Sequence, residues 1–238
     1  MIEVKDLTVR FGGVIPIDEM TLTFEAGTCG LIGPNGAGKT TFFNVLSGFV
    51  RPHAGTVSAF GDDLLSMADF RRARWGVRRT FQTEQAIAKL SVYENVLLVH
   101  EHTGGGRAVR RQDVAAAIEF VRLESVAQLP VATLGAGQRR LVEVARAVVG
   151  SPRLVLLDEP AAGLPDDETE QLSQMIQRIP AETGALVILV DHDMSLVSAC
   201  CATTAVLDFG RLIASGATSE VLRNEHVVRA YLGTEEEL

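Results

Sequence analysis

The sequence predicts an α/β fold built on a parallel sheet, with a small antiparallel β region at the N-terminus and a helical segment inserted between two parts of the core. Three observations predict it. Short aliphatic runs recur along the 238 residues, and several are followed by apolar residues at helical spacing. Residues 1–60 contain short strand patterns separated by turn signals. Residues 88–150 are mostly helical in pattern, so we expect a core of 1–87 and 151–238 around a helical subdomain of 88–150.

The N-terminal part predicts strands that lead into a glycine-rich loop and a helix. The strand patterns are IEVKDLTVRF (2–11), MTLTFEAG (20–27) and CGLIG (29–33). The helix follows the glycines, and its spacing predicts one apolar face of Phe42, Val45, Leu46 and Phe49. AGTVSAFGDD (54–63) returns to a strand and turn pattern, and an arginine-rich polar stretch (71–79) comes after it.

The remaining elements alternate between helix and strand. In the inserted segment the helix candidates are SVYENVLLVHEH (91–102), RQDVAAAIEFVRL (111–123) and QRRLVEVARAVVG (138–150), with TGGG (103–106) as a loose connection. After it come RLVLLDE (153–159), DETEQLSQMIQRI (167–179), ALVILVD (185–191), MSLVSACC (194–201) and TAVLD (204–208). In this order they are predicted to be a strand, a helix, a strand, a helix and a strand. The chain is expected to end in a helical tail.

Bulk properties exclude several classes of function. A net charge of −8 argues against a general nucleic-acid binder, whose surface would be basic. The longest apolar runs, such as ALVILV (185–190), are far too short to span a bilayer, and the N-terminus has no signal-peptide pattern. The three cysteines have no metal-type spacing and are expected to be thiols in a reducing cytoplasm.

The glycine-rich loop carries the strongest motif in the chain. GPNGAGKTT after a strand and before a helix matches G-x-x-x-x-G-K-T, in which backbone N–H groups wrap phosphates. Lys39 is expected to reach the β- and γ-phosphates and the Thr40 hydroxyl to bind Mg²⁺. A chance glycine-rich turn is the alternative. The predicted nucleotide-binding residues are Gly33, Pro34, Asn35, Gly36, Ala37, Gly38, Lys39, Thr40 and Thr41.

Two adjacent carboxylates supply the second part of the predicted site. RLVLLDE is a buried-strand pattern that ends in Asp158 and Glu159. Asp158 is suited to bind Mg²⁺, and Glu159 is suited to act as the base that polarises the attacking water. The two residues are alternatively caps of the next helix.

Three further residues are candidates on weaker signals. His192 follows the next buried strand, at the same sheet edge, and is suited to hold the γ-phosphate and the water; alone it would be a surface histidine. Gln82, in TFQTEQ, joins the core to the helical segment and is suited to touch Mg²⁺. Phe11 either stacks on adenine or belongs to the core. The histidines of HEH (100–102) are expected at a solvated helix end.

A second anion site is predicted at the start of a helix. Gly135, Ala136, Gly137 and Gln138 stand where the helix of QRRLVEVARAVVG begins, so free N–H groups and the positive end of the helix dipole favour an anion there. One domain therefore carries two phosphate-binding patterns.

The order of these motifs resembles the ATP-binding subunit of an ABC transporter over nearly the whole chain. LGAGQ (134–138) stands where that family has its signature L-S-G-G-Q. The resemblance implies ATP and Mg²⁺ as cofactors and a head-to-tail pair of subunits. In this pair, residues 135–138 are expected to bind the ATP that lies on the partner's glycine loop.

Two departures from the family pattern concern this pairing. Gly135 replaces the signature serine, and Pro165 stands where the family commonly has Asp. We therefore expect the second ATPase subunit to be a different polypeptide, with two unequal ATP sites.

A finer resemblance points to the branched-chain amino acid uptake branch, which also covers urea and short amides. It is carried by RFGGV (10–14), RTFQ (79–82), DHDMSLV (191–197) and VVRAYLG (227–233). It implies integral membrane permease subunits, an extracytoplasmic solute-binding protein, and a peripheral position on the cytoplasmic face of the cell membrane. The alternatives are an exporter ATPase for a lipid or drug, a regulatory subunit that binds nucleotide without turnover, and a soluble non-transport ABC protein.

Overall fold

The computed structural model describes residues 1–102 and 107–232. In chain order its strands are β1 (Ile2–Phe11), β2 (Val14–Phe24), β3 (Thr28–Ile32), β4 (Ala54–Ala59), β5 (Asp62–Asp63), β6 (Val77–Arg79), β7 (Leu154–Asp158), β8 (Leu186–Val190), β9 (Thr203–Asp208) and β10 (Arg211–Ala217). They form two sheets, with strand orders β2-β1-β4-β5 and β10-β9-β3-β8-β7-β6.

The six-stranded sheet is parallel except at one edge. Strands β9, β3, β8, β7 and β6 pair in parallel, and β10 pairs with β9 in antiparallel register. Every residue of β3, β7 and β8 is buried, as their aliphatic sequences require of strands covered on both faces. The predicted parallel core is confirmed. Its consequence is that the loops after β3, β7 and β8 lie at one edge of the sheet.

The smaller sheet is the predicted antiparallel β region. Strand β1 pairs with β2 on one side and with β4 on the other, both antiparallel. Its apolar face packs against the helix that follows the glycine loop, where the rings of Phe24 and Phe42 are 6.3 Å apart. This sheet therefore packs against the helix that the glycine loop leads into.

Helices and short 3-10 turns connect the strands. The helices are α1 (Lys39–Ser47), α2 (Asp69–Trp75), α3 (Val92–Glu101), α4 (Arg107–Phe120), α5 (Ala136–Val148), α6 (Asp166–Thr183), α7 (Met194–Cys200), α8 (Thr218–Val221) and α9 (Glu225–Leu232), and the 3-10 turns are Leu64–Ser66, Glu124–Val126 and Val131–Thr133. Helix α2 and strand β6 occupy the arginine-rich stretch, which had no assignment from its sequence.

The predicted apolar face of α1 is correct for three of its four residues. Phe42, Val45 and Leu46 are fully buried, but Phe49 is 60% exposed, and its assignment was wrong. The helix ends at Ser47, two residues before Phe49, because Gly48 has φ 89° and reverses the chain. Phe49 then lies outside the core, with its ring 6.1 Å from that of Phe81.

The helical segment begins with a well-formed cap on α3. The Ser91 hydroxyl accepts from the Glu94 N–H at 3.1 Å, and the Glu94 carboxylate accepts from the Ser91 N–H at 2.8 Å. At the other end, His100 is buried, with Nε2 3.1 Å from Asp113, so the expected solvated position for this histidine was wrong. Helix α3 turns this side chain toward α4, which its sequence alone did not indicate. The TGGG connection lies outside the described residues.

The C-terminal tail differs from the expectation. The chain forms strand β10 before its helices, because Phe209 and Gly210 make a two-residue turn with φ 42° and 80°. Two positive φ values are typical of the tight hairpin that matches strand twist. Residues of β10 alternate between exposed and half-buried, as on an edge strand. The predicted helices at the end of the chain are present as α8 and α9, but strand β10, which precedes them, was not predicted.

Two expectations from composition concern membranes and thiols. Searched over the described residues, no helix combines the length and apolar character that crossing a membrane requires. Cys29, Cys200 and Cys201 are unpaired and buried. Burial raises the pKa of the Cys29 and Cys200 thiols, which favours their protonated form.

Candidate functional site

The glycine loop between β3 and α1 has a shape that only glycine permits at two positions. Gly33 has φ 149°, and a Cβ there would overlap the carbonyl oxygen of Leu207. Gly38 has φ 106°, and a Cβ there would overlap the carbonyl oxygen of Pro16. The loop is therefore held closely against β9 on one side and β2 on the other.

The remaining residues of the loop divide into a buried base and an open rim. Ala37 is buried and donates its N–H to the Pro34 carbonyl at 3.2 Å. Asn35, Gly36 and Thr40 are exposed, and Thr41 is half-buried. Helix α1 therefore begins with its first turn directed toward an open surface.

Lys39 is the only buried lysine of the site. Its ammonium donates to the carbonyls of Gly33 at 2.6 Å and Pro34 at 3.0 Å. Burial lowers the pKa of Lys39, while the nearby carboxylates of Glu159 and Asp158 act in the opposite direction. The charge of Lys39 therefore interacts both with the carbonyls of the glycine loop and with the carboxylates of Asp158 and Glu159.

Asp158 and Glu159 lie where β7 ends. The Asp158 carboxylate is buried and its Oδ2 accepts from Arg79 at 2.8 Å. Glu159 has φ 48°, a left-handed conformation that costs a non-glycine residue about 1–3 kcal/mol and is common at functional sites. Its N–H donates to Val190 at 2.8 Å, which couples this turn to the end of β8.

The Glu159 carboxylate brings together the three predicted catalytic residues. Gln82 Nε2 donates to Glu159 Oε2 at 2.7 Å, and His192 Nε2 lies 3.0 Å from Glu159 Oε1. The three residues come from the loops after β6, β7 and β8. Their grouping follows from the parallel pairing of these strands; the sequence patterns predicted it for Glu159 and His192, whereas the strand before Gln82 was not predicted.

Asp191 and Asp193, which the sequence reading did not single out, shape the loop that carries His192. Asp193 caps α7 by accepting from Ser195 N at 2.8 Å and Leu196 N at 3.3 Å. Asp191 in turn accepts from Asp193 N at 3.0 Å, and burial raises its pKa. The D-H-D spacing was the available signal, because short polar side chains commonly bond N–H groups two residues on.

The residues predicted to form a second anion site lie at the start of α5. Gly135 is the N-cap in extended conformation (φ −66°, ψ 164°), and its N–H donates to Gln138 Oε1 at 3.3 Å. Ala136 and Gly137 form the first turn, and a Cβ on Gly137 would overlap the Glu168 carboxylate. No hydrogen bond within the described part of the chain joins residues 135–138 to the glycine loop.

Phe11 ends β1 at the tip of the β1–β2 hairpin. Its ring is 54% exposed, so it does not belong to the core, which was one of its two predicted positions. An exposed ring is available for stacking, and the adenine contact stays a prediction.

A cavity of about 490 Å³ opens between the core and the helical segment. We call it the groove; among the residues that line it are Phe49, Phe70, Arg79, Phe81, Leu98, Glu143 and Arg146. Its walls come from the end of α1, from α2, β6, α3 and α5, and from Phe81 and Gln85, which lie on either side of Gln82 in the chain. Phe81, which lines the groove, directly precedes Gln82, which contacts Glu159.

Comparisons with known proteins agree with this arrangement. A family model described as ABC transporter matches residues 17–162, and one described as branched-chain amino acid ATP-binding cassette transporter matches residues 211–237. The chain is 36% identical to the high-affinity branched-chain amino acid transport ATP-binding protein BraF of Pseudomonas aeruginosa, over 98% of both proteins. It is 34% identical to the lipopolysaccharide export system ATP-binding protein LptB of Escherichia coli, over 96% of this chain and 95% of LptB.

The fold comparison gives the same family. The ADP conformation of MJ1267, an ATP-binding cassette of an ABC transporter, superposes with a TM-score of 0.87 at 25% identity, over 98% of both chains. The ABC transporter model covers more than half of the chain, and BraF matches it over nearly the full length of both proteins. The chain belongs to the ABC transporter family and is an ATPase of that family.

Proposed function

We propose that this ATPase powers the import of branched-chain amino acids through separate membrane subunits. The observation that carries the chemistry is the Glu159 carboxylate between Gln82 and His192, at the sheet edge beside the glycine loop. The cargo is argued from the similarity to BraF over nearly the full length and from the branched-chain match at 211–237.

ATP is proposed to bind across the glycine loop and Phe11. The backbone N–H groups of residues 33–41, except that of Pro34, which has none, wrap the phosphates, and Lys39 moves its hydrogen bonds from the loop carbonyls to the β- and γ-phosphates. Phe11, exposed at the hairpin tip, stacks on the adenine. The buried position of Lys39 strengthens its interaction with phosphate because little water screens it.

A Mg²⁺ ion fits the side chains next to the γ-phosphate position. The Thr40 hydroxyl, the Gln82 amide oxygen and Asp158 Oδ1 are oxygen donors, which is the donor set that Mg²⁺ prefers. Arg79 occupies Asp158 Oδ2 and Glu159 accepts from the Gln82 nitrogen, so one oxygen of each side chain is left for the metal. When bound, the ion neutralises charge on the β- and γ-phosphates.

Hydrolysis is assigned to Glu159 and His192. Glu159 orients the attacking water and accepts its proton, while His192 holds the γ-phosphate. The left-handed turn at Glu159 and the hydrogen bond from Asp193 N to Asp191 fix the backbone from which the Glu159 and His192 side chains project. His192 Nε2 exchanges its contact with Glu159 Oε1 for one with the γ-phosphate.

Residues 135–138 are proposed to bind the ATP held by a second, non-identical subunit. The N–H groups of α5 lie at the positive end of the helix, and no glycine-loop contact within the described chain satisfies them. Gly135 lacks the signature hydroxyl, and Pro165 caps α6 without a side-chain hydrogen bond. Both features favour a partner whose surface differs from this one.

Restoring the hydroxyl with Gly135→Ser is expected to strengthen ATP-dependent subunit pairing. The backbone is already extended as serine N-caps are, and nothing lies within 4 Å of an added Cβ. Stability should rise by at most about 0.5 kcal/mol. Thermal melts and ATP-dependent sedimentation check it; Gly137→Ser, whose Cβ would overlap the Glu168 carboxylate, should weaken pairing instead. Weaker pairing in Gly135→Ser would contradict the assignment.

Membrane subunits are proposed to dock a cytoplasmic loop in the groove. Its aromatic walls and arginines suit a partly apolar segment that carries acceptor groups. Residues 88–150 act as the helical subdomain that carries one wall, and 1–87 with 151–238 act as the core that carries the other. The protein then lies on the cytoplasmic face of the inner membrane, and an extracytoplasmic solute-binding protein delivers the cargo.

Transport of leucine tests the cargo. The complex, purified with its own membrane subunits and binding protein and placed in liposomes, is expected to accumulate labelled leucine only with MgATP. Urea and acetamide serve as competing cargo. Similarity to LptB favours lipid export as the second candidate. Release of lipopolysaccharide without leucine uptake would replace the proposed function with that one.

A further inference from the structure

Arg79 links three parts of the site through one guanidinium group. It is the last residue of β6, and its NH1 donates to Asn44 Oδ1 at 2.7 Å, on the helix that follows the glycine loop. Its NH2 donates to Asp158 Oδ2 at 2.8 Å. The side chains of Arg79 and Asp158 are only 6% and 5% exposed, so this ion pair is shielded from water. A buried pair of this kind is strongly dependent on geometry.

Aromatic rings hold the guanidinium in place. Its central carbon lies 5.4 Å from the ring centre of Phe43 and 4.8 Å from that of Phe81. Phe81 in turn contacts the ring of Phe49 in the groove. A planar guanidinium stacks on aromatic faces while its N–H groups point sideways, so the rings fix the direction of both hydrogen bonds.

The segment from Arg79 to Gln82 contacts both carboxylates that follow β7. Arg79 holds Asp158, the Thr80 hydroxyl accepts from Asp158 N at 3.1 Å, and Gln82 holds Glu159. Arg79 and Phe81 also line the groove. One short stretch of chain therefore faces the docking surface on one side and the reacting groups on the other.

We propose that Arg79 is a positioning residue for ATP hydrolysis, which holds Asp158 by Oδ2 so that Oδ1 is directed to the metal. The inference rests on the proposed function, in which Asp158 binds Mg²⁺ next to ATP. Partners that orient a ligating carboxylate commonly matter almost as much as the ligand. A lysine has a single donor atom and cannot bridge Asn44 and Asp158 with the same planar geometry.

Arg79→Met is expected to remove the contribution of Mg²⁺ to ATP binding. We would measure the Kd of a fluorescent N-methylanthraniloyl ATP by anisotropy, once with Mg²⁺ and once with EDTA. The variant should lose about 10- to 100-fold in affinity with Mg²⁺ and stay within about twofold of the unsubstituted protein in EDTA. Arg79→Lys should recover part of the Mg²⁺ effect because it keeps the charge.

Arg153→Met is the matched control. Arg153 also pairs with a carboxylate, Asp62, at 3.1 Å and lies over two aromatic rings, Phe60 and Trp75. It precedes β7 at the end opposite to Asp158, so its loss should leave the Mg²⁺ effect unchanged. Equal effects of the two methionine variants would show a general loss of stability and overturn the proposal.

The remaining outcomes separate this inference from the proposed function. An Arg79→Met protein that binds ATP with the full Mg²⁺ effect overturns the role of Arg79 even if the unsubstituted complex imports leucine. Conversely, if Arg79→Met loses the Mg²⁺ effect but the unsubstituted complex does not take up leucine, only the proposed cargo is overturned. If circular dichroism shows that Arg79→Met does not fold, Arg79→Lys carries the test. An unchanged Mg²⁺ effect in that variant overturns the proposal.

Discussion

Replacing Glu159 with glutamine is expected to reduce ATP turnover by about 10²- to 10⁴-fold while ATP remains bound. Glutamine keeps the size of the side chain and can still hydrogen-bond with Gln82 and His192, but it cannot accept a proton from water. Binding groups on the glycine loop are untouched by the change. The variant should therefore separate binding from chemistry.

Phosphate release under saturating MgATP measures the turnover, and fluorescent ATP measures the binding. Glu182→Gln is a suitable control, because Glu182 is a half-exposed carboxylate paired with Arg178 on α6. Turnover that persists in Glu159→Gln would rule out Glu159 as the base. A regulatory subunit without hydrolysis would instead give no turnover in the unsubstituted complex.

The same variant reports on subunit pairing. Size-exclusion chromatography with MgATP and with ADP shows whether ATP that is not hydrolysed traps a closed pair. A shift to a dimer with ATP alone indicates that residues 135–138 bind the nucleotide of a second identical copy. No shift, with ATP still bound, supports the non-identical partner that Gly135 and Pro165 suggest.

The sequence predicted those parts of the site that depend on local pattern. Gly33 and Gly38 have positive φ, and the motif itself requires glycines there. Glu159 and His192 follow buried strands, so their meeting at one sheet edge follows from parallel strand order. The position of each motif at the end of a strand can be recognised without knowing any tertiary contact.

Contacts between distant elements were not readable in this way. Arg79 and Asp158 are 79 residues apart, and the arginine-rich stretch gives no sign of which guanidinium turns inward. Phe49 was assigned to the core because the periodicity of α1 does not show where Gly48 ends the helix. His100 became buried through packing of α4 on α3, a tertiary effect that overrides the polar character of the residue.

Replacing Lys39 with alanine is expected to weaken ATP binding by about 100-fold or more, which corresponds to about 3 kcal/mol for two charge-assisted hydrogen bonds. The ammonium lies inside the glycine loop, where the charges of Glu159 and Asp158 act on it, and its removal takes away a positive charge that offsets these carboxylates. Repulsion between the carboxylates and the phosphates adds to the loss.

The direction of the Lys39 pKa adds a pH dependence to this prediction. Burial lowers this pKa, so the ammonium loses its proton at a lower pH than an exposed lysine does. ATP affinity should therefore fall as the pH rises toward that lowered pKa, and Lys39→Ala should show no such fall. Lys89→Ala, at an exposed lysine, is the control and should bind as the unsubstituted protein does. Titration calorimetry across alkaline pH measures both effects, and equal pH profiles for Lys39→Ala and Lys89→Ala would exclude Lys39 from phosphate binding.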